Sequence, residues 1–340
     1  MTGDATIGDE DALAVVTSGD EAAFARLVQR HRRELHVHCY RMTGSFDEAE
    51  DLVQETFLRA WSRRETFEAH EGGRLFRAWL YRIATNACLD AERKRKRRVP
   101  SLANSFGDVP WIQPYPDVLL DEIVADPTAG DDDPGVRAVT RESVELAFLA
   151  VIQLLPPKQR AVLLLRDVLG WPAEQTATIL ETTVPSANSA LQRARATLEQ
   201  HTIGDDLGRP LKEPTPEDLE LLAAFIDAHE RSDPDAAIAI ARRDIRITMP
   251  PQPVLFETIG EIGPLLRGAF QEYPAGTWRL LPTSANRMPV AASYMRSDDG
   301  RRYDAFKFDA LRVADGKIAE ITTFGVVFFP YFGLPPYLDP

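Results

Sequence analysis

Asp47–Trp61 reads DEAEDLVQETFLRAW, and its spacing predicts one amphipathic helix. Ala49, Leu52, Val53, Thr56, Phe57, Ala60 and Trp61 recur at i, i+3 and i+4, the period of a helix with one face on a core. The opposite face carries Asp47, Glu48, Glu50, Asp51, Gln54, Glu55 and Arg59. Such an acidic face suits nucleic acid poorly, because phosphate repels carboxylate. Further along, Arg93–Arg98 (RKRKRR) is wholly basic. The chain thus sets a protein-binding surface next to a candidate DNA-binding one.

The 340 residues carry a formal net charge of −13, which taken whole argues against a nucleic-acid partner. The charge is unevenly spread, however. Basic residues number 17 against 13 acidic over 20–100, 2 against 10 over 101–150, and 5 against 4 over 151–200. Positive charge gathers in the first folded segment, an asymmetry that points to nucleic-acid contact. The length suits two or three domains. No apolar run approaches the roughly 20 residues needed to cross a bilayer. The start, MTGDATIGDEDA, lacks the basic and apolar parts of a signal peptide, so a cytoplasmic chain with no membrane partner is expected. Cys39 and Cys88 stand in no CxxC and read as buried small hydrophobes. His36 and His38 flank Val37 beside Cys39, but neighbouring helix positions point in different directions. They read as helix surface and core; no metal and no cofactor is expected.

Residues 20–98 read as wholly helical. Phe24, Leu27 and Val28 open the apolar pattern, and a polar loop with Gly72 and Gly73 follows the first quoted helix. Phe76, Trp79, Leu80, Ile83, Ala84, Ala87 and Cys88 then form a second stripe that runs into the basic segment. Residues 99–138, rich in proline and aspartate, are a linker. Within its PWIQPYPD stretch (110–117), Trp111, Ile112 and Tyr115 are expected to dock on something. Residues 139–202 return to helices, starting from Ser143, Pro156, Pro172 and Pro185. Residues 215–330 predict an α+β layout, with helices over 217–231, 233–240 and 259–270. Strands are expected over 245–249, 278–285, 290–295, 302–313 and 317–327, and Asp315-Gly316 is a hairpin signal. Residues 331–340 form an aromatic and proline tail.

The sharpest local motif is Trp171–Leu198, a short helix, a turn over 181–183 and a second helix, which fits a helix-turn-helix. In the second helix Ala187, Leu191, Ala194 and Leu198 must face the core. That leaves Ser186, Asn188, Ser189, Gln192, Arg193 and Arg195 outward. Asn and Gln pair with adenine edges, while Ser and Arg grip phosphate or guanine. No carboxylate interrupts this face, although the chain is rich in them. Ahead of the basic run, Arg77, Arg82, Thr85 and Asn86 read as the outward face of their helix. Phe67, in the preceding loop, is either a stacking residue for an extruded base or a core anchor.

DEAEDLVQETFLRAW, FRAWLYRIATNACLD (76–90) and LPPKQRAVLLLRDVLGWPAEQTATIL with SANSALQRARATL (155–198) together resemble regions two and four of extracytoplasmic-function sigma factors. The resemblance implies a partner, core RNA polymerase. The helix 47–61 would dock on the β′ clamp coiled coil through Asp47, Glu50, Asp51, Gln54, Glu55 and Arg59, with region four on the β flap. It likewise implies −10 contacts by Phe67, Arg77, Arg82, Asn86, Arg93 and Lys94. The six outward residues of the helix-turn-helix would read the −35 element. ITMPP (247–251), VADGKIAEITTF (313–324) and FFPYFGLPPYL (328–338) resemble the subgroup that carries a SnoaL-like cone after region four. EAHEGGRLF (68–76) departs from the family's Ser-Leu-Arg-like pattern at that point. An Asn-Pro-Asp-Lys-Leu motif of some such factors has no counterpart. The expected fold is therefore two all-α domains followed by an α+β cone.

Relatives of this cone include enzymes with a pocket Asp or His. Here His229 is expected at the surface, and Asp304 and Asp309 share no period-2 face because their separation is odd. Met249, Phe256, Trp278, Met295, Tyr303 and Phe306 read as core. The expected function is a promoter-specificity factor without chemistry of its own, modulated by the cone, with a small-molecule ligand in the cone as a further partner class. The alternative is a SnoaL-type enzyme or ligand sensor fused to a DNA-binding module. The aromatic stretch 324–338 and the PWIQPYPD stretch are expected to pin the cone against the two DNA-binding domains, since the apolar rings need a partner.

Overall fold

The computed structural model describes residues 9–67, 75–98, 112–119, 149, 152–202, 214–250, 252 and 254–340. The chain divides into a helical unit and an α+β unit. Linker residues 112 and 113 belong to the first, and 114–117 to the second.

The helical unit opens with α1 (Asp9–Ser18), α2 (Glu21–Gln29), α3 (Arg32–Thr43), α4 (Phe46–Ser62) and α5 (Leu75–Arg98). α1 precedes the expected domain start, and its Val16 is buried. Local chemistry sets the helix ends. Asp20 caps α2 by accepting from Ala23 N at 3.0 Å, and Ser45 caps α4 by accepting from Glu48 N at 3.2 Å. Gly44, at φ 74°, closes α3 in the left-handed conformation that glycine adopts without penalty. On α4 the expected stripe is buried at Ala49, Leu52, Val53, Thr56 and Ala60, joined by Phe46. Phe57 and Trp61 are half-buried, with the Trp61 ring 5.2 Å from that of Phe24.

The helical unit continues with α6 (Pro157–Leu163), a π-helical turn Leu164–Val168, α7 (Ala173–Ile179) and α8 (Val184–Thr202). The helix expected from Ser143 lies largely outside the described residues, as do Trp111 and the loop 68–74. Cys39 and Cys88 are wholly buried. His36 and His38 are buried too, which corrects the reading of that pair as partly surface. Burial, with nearby Arg41 for His38, pushes the imidazoles down to about 4 and about 3. His38 Nε2 lies 2.9 Å from Thr85 Oγ1.

The second unit begins with α9 (Pro216–Glu230) and α10 (Pro234–Ala239). Thr215 and Asp218 form a reciprocal capping box at the start of α9. The strands are β1 (Ala241–Thr248), β2 (Leu255–Glu257), β3 (Trp278–Ala285), β4 (Met288–Arg296), β5 (Tyr303–Ala314), β6 (Lys317–Gly325) and β7 (Tyr337–Leu338). α11 (Thr258–Glu272) lies between β2 and β3. The sheet order is β2-β1-β6-β5-β4-β3, antiparallel except for β1 with β6, and β7 joins β5. The hairpin at Asp315-Gly316 forms as read, with both residues at positive φ and Ala314 opposite Lys317. The short strands β2 and β7 carry too few residues to show an alternation.

One sheet face packs Ala291, Leu280, Leu311 and Ile321 against Leu222 and Phe225 of α9 and Ile262 of α11. On the other, Phe308 lies 4.5 Å from Phe332 and 6.3 Å from Phe329, and Tyr294 lies 5.3 Å from Phe329. The aromatic tail therefore covers the cone's own sheet with Phe324, Phe328 and Phe329 buried. Linker residues 114–117 also bond within this unit. Tyr115 N donates to Asn286 Oδ1 at 2.7 Å, Asn286 N to Tyr115 O at 3.0 Å, and Arg287 N to Asp117 Oδ1 at 2.9 Å.

Candidate nucleic-acid interface

α8 presents the outward face that the sequence reading assigned to it. Ser186, Asn188, Ser189, Gln192, Arg193 and Arg195 are all exposed, while Ala187, Leu191 and Ala194 are buried and Leu198 is half-buried. Arg195 is braced: its Nε and Nη2 donate to Asp167 at 2.8 and 2.7 Å. The helix is oriented by burial, not by surface bonds, because its small apolar stripe fits against α6 and α7.

The second expected DNA surface, on α5, is only partly available. Phe67 is buried and packs at 5.3 Å from Phe76 and 5.5 Å from Trp79, so it is a core anchor and not a presented stacking residue. Thr85 is wholly buried against His38. Arg77 is half-buried: its Nε donates to Glu34 Oε2 at 2.7 Å, and its guanidinium lies over the rings of Tyr81 and Trp171 at 5.1 and 5.2 Å. Burial alone would raise the Glu34 carboxyl, but Arg77 and His31 outweigh it and hold it at about 2. Arg82 and Asn86 are half-buried, and Arg93 and Lys94 are exposed. The remaining side chains of the basic run lie outside the described residues. The misreadings share one cause: a helical period gives a face, but not which of several neighbours covers it.

On α4 the acidic face is exposed at some positions and paired with arginines at others. Asp47, Asp51 and Gln54 are exposed. Glu50 takes Arg32 as partner, and Arg59 bonds both Glu55 at 3.0 Å and Asp90 at 3.2 Å. Leu58, 71% exposed, extends the Asp47–Asp51–Gln54 line by one turn. The reading missed it because a leucine at helical spacing reads as core.

Arg160 was also missed, and it joins the two halves of this unit. Only 2% exposed, it donates to Ile152 O and Gln153 O at 2.9 Å and to Leu155 O at 3.2 Å. It also donates to Met42 O at the end of α3 and lies 3.8 Å from Glu92 Oε1. Gln153 Nε2 donates to Arg41 O at 3.0 Å. The last carbonyls of α3 have no helical donors, and Gln153 and Arg160 supply them. An arginine inside LPPKQRAVLLL gave no sequence signal beyond its place in an apolar run.

In the cone, His229 is buried, not at the surface. Burial and nearby Lys307 push it down to about 4, and its Nδ1 lies 2.8 Å from Phe225 O. Asp309, wholly buried, accepts from Thr323 Oγ1 at 2.6 Å and meets Lys307 Nζ at 2.8 Å. Asp304 instead pairs with Arg302 at 2.7 Å. The residues expected as core are half-buried, and Phe306 is exposed. Trp278 and Tyr303 line an open groove of about 610 Å³ with Glu230 and Arg279. Among the described residues, no group of three or more His, Cys, Asp or Glu could hold a metal ion, and no helix is long and apolar enough to cross a membrane.

These features define a helical unit with a helix-turn-helix, followed by an α+β unit. Residues 27–98 match the Sigma-70 region 2 family, 145–198 match Sigma-70 region 4, and 222–321 match the SnoaL-like domain. The chain is 39% identical to the ECF RNA polymerase sigma factor SigG of Mycobacterium tuberculosis, over 93% of this chain and 85% of that protein. It is 25% identical to the ECF sigma factor SigJ of the same organism, over 85% and 88%. The crystal structure of SigJ matches in fold, with a TM-score of 0.58 over 92% of this chain and 100% of that one, at 21% identity. The protein belongs to the extracytoplasmic-function RNA polymerase sigma factors and carries a C-terminal SnoaL-like domain.

Proposed function

We propose that this sigma factor docks on the β′ clamp helices of core RNA polymerase through the outward line of α4. Region four then sits on the β flap and places α8 in the major groove of the −35 element. Arg93 and Lys94 on α5, with Arg82 and Asn86 on the same helix, serve the −10 region. The observation that carries this reading is α8: six exposed polar or basic side chains, no carboxylate among them, opposite a buried apolar stripe. A major groove admits one helix, and such side chains match base edges and phosphates. Much of the binding energy on DNA comes from counterion release and falls steeply with salt.

The cone modulates this activity and performs no chemistry of its own. Its buried Asp309 is already committed to Lys307 and Thr323, and His229 is neutral near pH 7, so neither is a poised acid or base. The protein acts in the cytoplasm, with core polymerase. Run-off transcription with core polymerase, comparing the full chain with one truncated after Asp205, is the test. Transcription should depend on the chain, and truncation should change its level. Transcription that ignores the chain ends the promoter-factor reading, and equal output after truncation ends the modulating role of the cone.

A further inference from the structure

The linker residue Gln113 lies on the start of the proposed docking helix. Its backbone N donates to Gly44 O at 2.9 Å, and Tyr40 Oη donates to its carbonyl oxygen at 2.7 Å. Its side-chain Oε1 accepts from Ser45 Oγ and from Asp47 N, both at 3.1 Å, and its Nε2 donates to Asp47 Oδ2 at 2.9 Å. Gln113 is 8% exposed, and Ile112 beside it is equally covered. A side chain with five such bonds, counting its backbone, is seated and not passing by. The first amides of a helix have no partner within it, and this glutamine supplies one acceptor there while engaging a carboxylate on the outward line.

We infer that Gln113 is an intramolecular occupant of the polymerase-docking helix, which core polymerase must displace to engage Asp47. The inference rests on the reading of α4 as that docking helix. Asp47 Oδ2 is taken by an uncharged donor that a cationic partner would replace with a stronger, charge-assisted bond. Docking therefore exchanges one set of bonds for another, and the linker sets a threshold for polymerase binding. The residues that follow, Tyr115 and Asp117, take their partners from the β3–β4 turn of the cone, so the occupant belongs to a segment whose neighbours the cone holds. This gives the cone a covalent route to the docking helix.

The test is binding of the full-length chain to core polymerase, followed by fluorescence anisotropy, for Gln113→Ala, Gln113→Glu and Asp51→Lys. Gln113→Glu keeps the acceptors for Ser45 and Asp47 N but sets a second carboxylate against Asp47, so it ejects the linker even where the alanine variant folds poorly. Both Gln113 variants should bind about fivefold tighter, which is about 1 kcal/mol at 1.4 kcal/mol per decade. Affinity unchanged or weakened in Gln113→Glu, with Asp51→Lys losing binding, overturns the inference and leaves the docking helix standing. Wild-type binding by Asp51→Lys overturns both.

Discussion

The guanidinium of Arg195 lies in line with the carboxylate of Asp167, Nε to Oδ2 at 2.8 Å and Nη2 to Oδ1 at 2.7 Å. Arg193, two residues earlier on the same exposed face, makes no such ion pair among the described residues. The two arginines should therefore act differently on DNA. Arg193→Ala should weaken promoter binding and lower the salt slope of the affinity by about 0.9, one phosphate's share. Arg195→Ala should lower it by less, because Asp167 already offsets that charge. Affinities measured across a salt series give both slopes, and equal slopes would contradict the bracing.

Asp51→Lys with Glu55→Lys should abolish binding to core polymerase and leave the fold intact. Both side chains stand at the surface of α4, and the pair lost, Glu55 with Arg59, is a partly exposed helix pair worth at most about 1 kcal/mol. Co-purification with core enzyme and a melting curve decide the matter; retained binding would refute the docking role.

Arg160→Ala should destabilise the helical unit by about 3–5 kcal/mol, because it removes a buried cation from beside buried Glu92 and strips donors from four carbonyls. Denaturant unfolding followed by tryptophan fluorescence reads this directly. A loss below about 1 kcal/mol, the scale of a surface pair, would mean that Arg160 is not the clasp described.

Stability should fall with acid earlier than carboxylate titration alone predicts. His36, His38 and His229 are held below the ordinary 6.5, at about 4, about 3 and about 4. The unfolded chain thus takes up protons first as pH drops. Stability is intact above about 6.5 and is lost as pH falls from there through about 4, at up to about 1.4 kcal/mol per pH unit for each histidine. Denaturant midpoints between pH 7 and 5 should move steadily; a flat profile would contradict the buried, neutral state.

Asn286→Gly should loosen the Tyr115 end of the linker on the cone without straining the turn. Asn286 sits at φ 52°, which glycine adopts readily, and the variant removes the acceptor for Tyr115 N while keeping the bonds of Asn286 N to Tyr115 O and Arg287 N to Asp117. Hydrogen exchange at the Tyr115 amide should accelerate while β4 and β5 stay protected. Unaltered exchange would show that the linker is held by other bonds.

Much of this was written in local chemistry. The period of residues 47–61 gave the α4 stripe, the apolar spacing in 184–198 gave the buried and exposed faces of α8, and Asp315-Gly316 gave a hairpin. Each depends on residues within a few positions of one another. Phe67 and Arg77 show where that logic stops. The first is covered by Phe76 and Trp79, and the second is held by Glu34 and roofed by Trp171, more than ninety residues away in sequence. His229 has ordinary helix neighbours and is buried because Phe270 and the sheet come to meet it.

By itself, then, the sequence determined most of the helices, the longer strands of the cone and the buried and exposed faces of α4 and α8, because period, capping and turn residues act over short range. Only the tertiary structure decided which of those surfaces are free. Arg160 satisfies the end of a helix far from it in sequence, and Gln113 occupies the helix that opened the reading. Those are meetings of distant segments, set by which carbonyls and amides each helix end leaves without a partner.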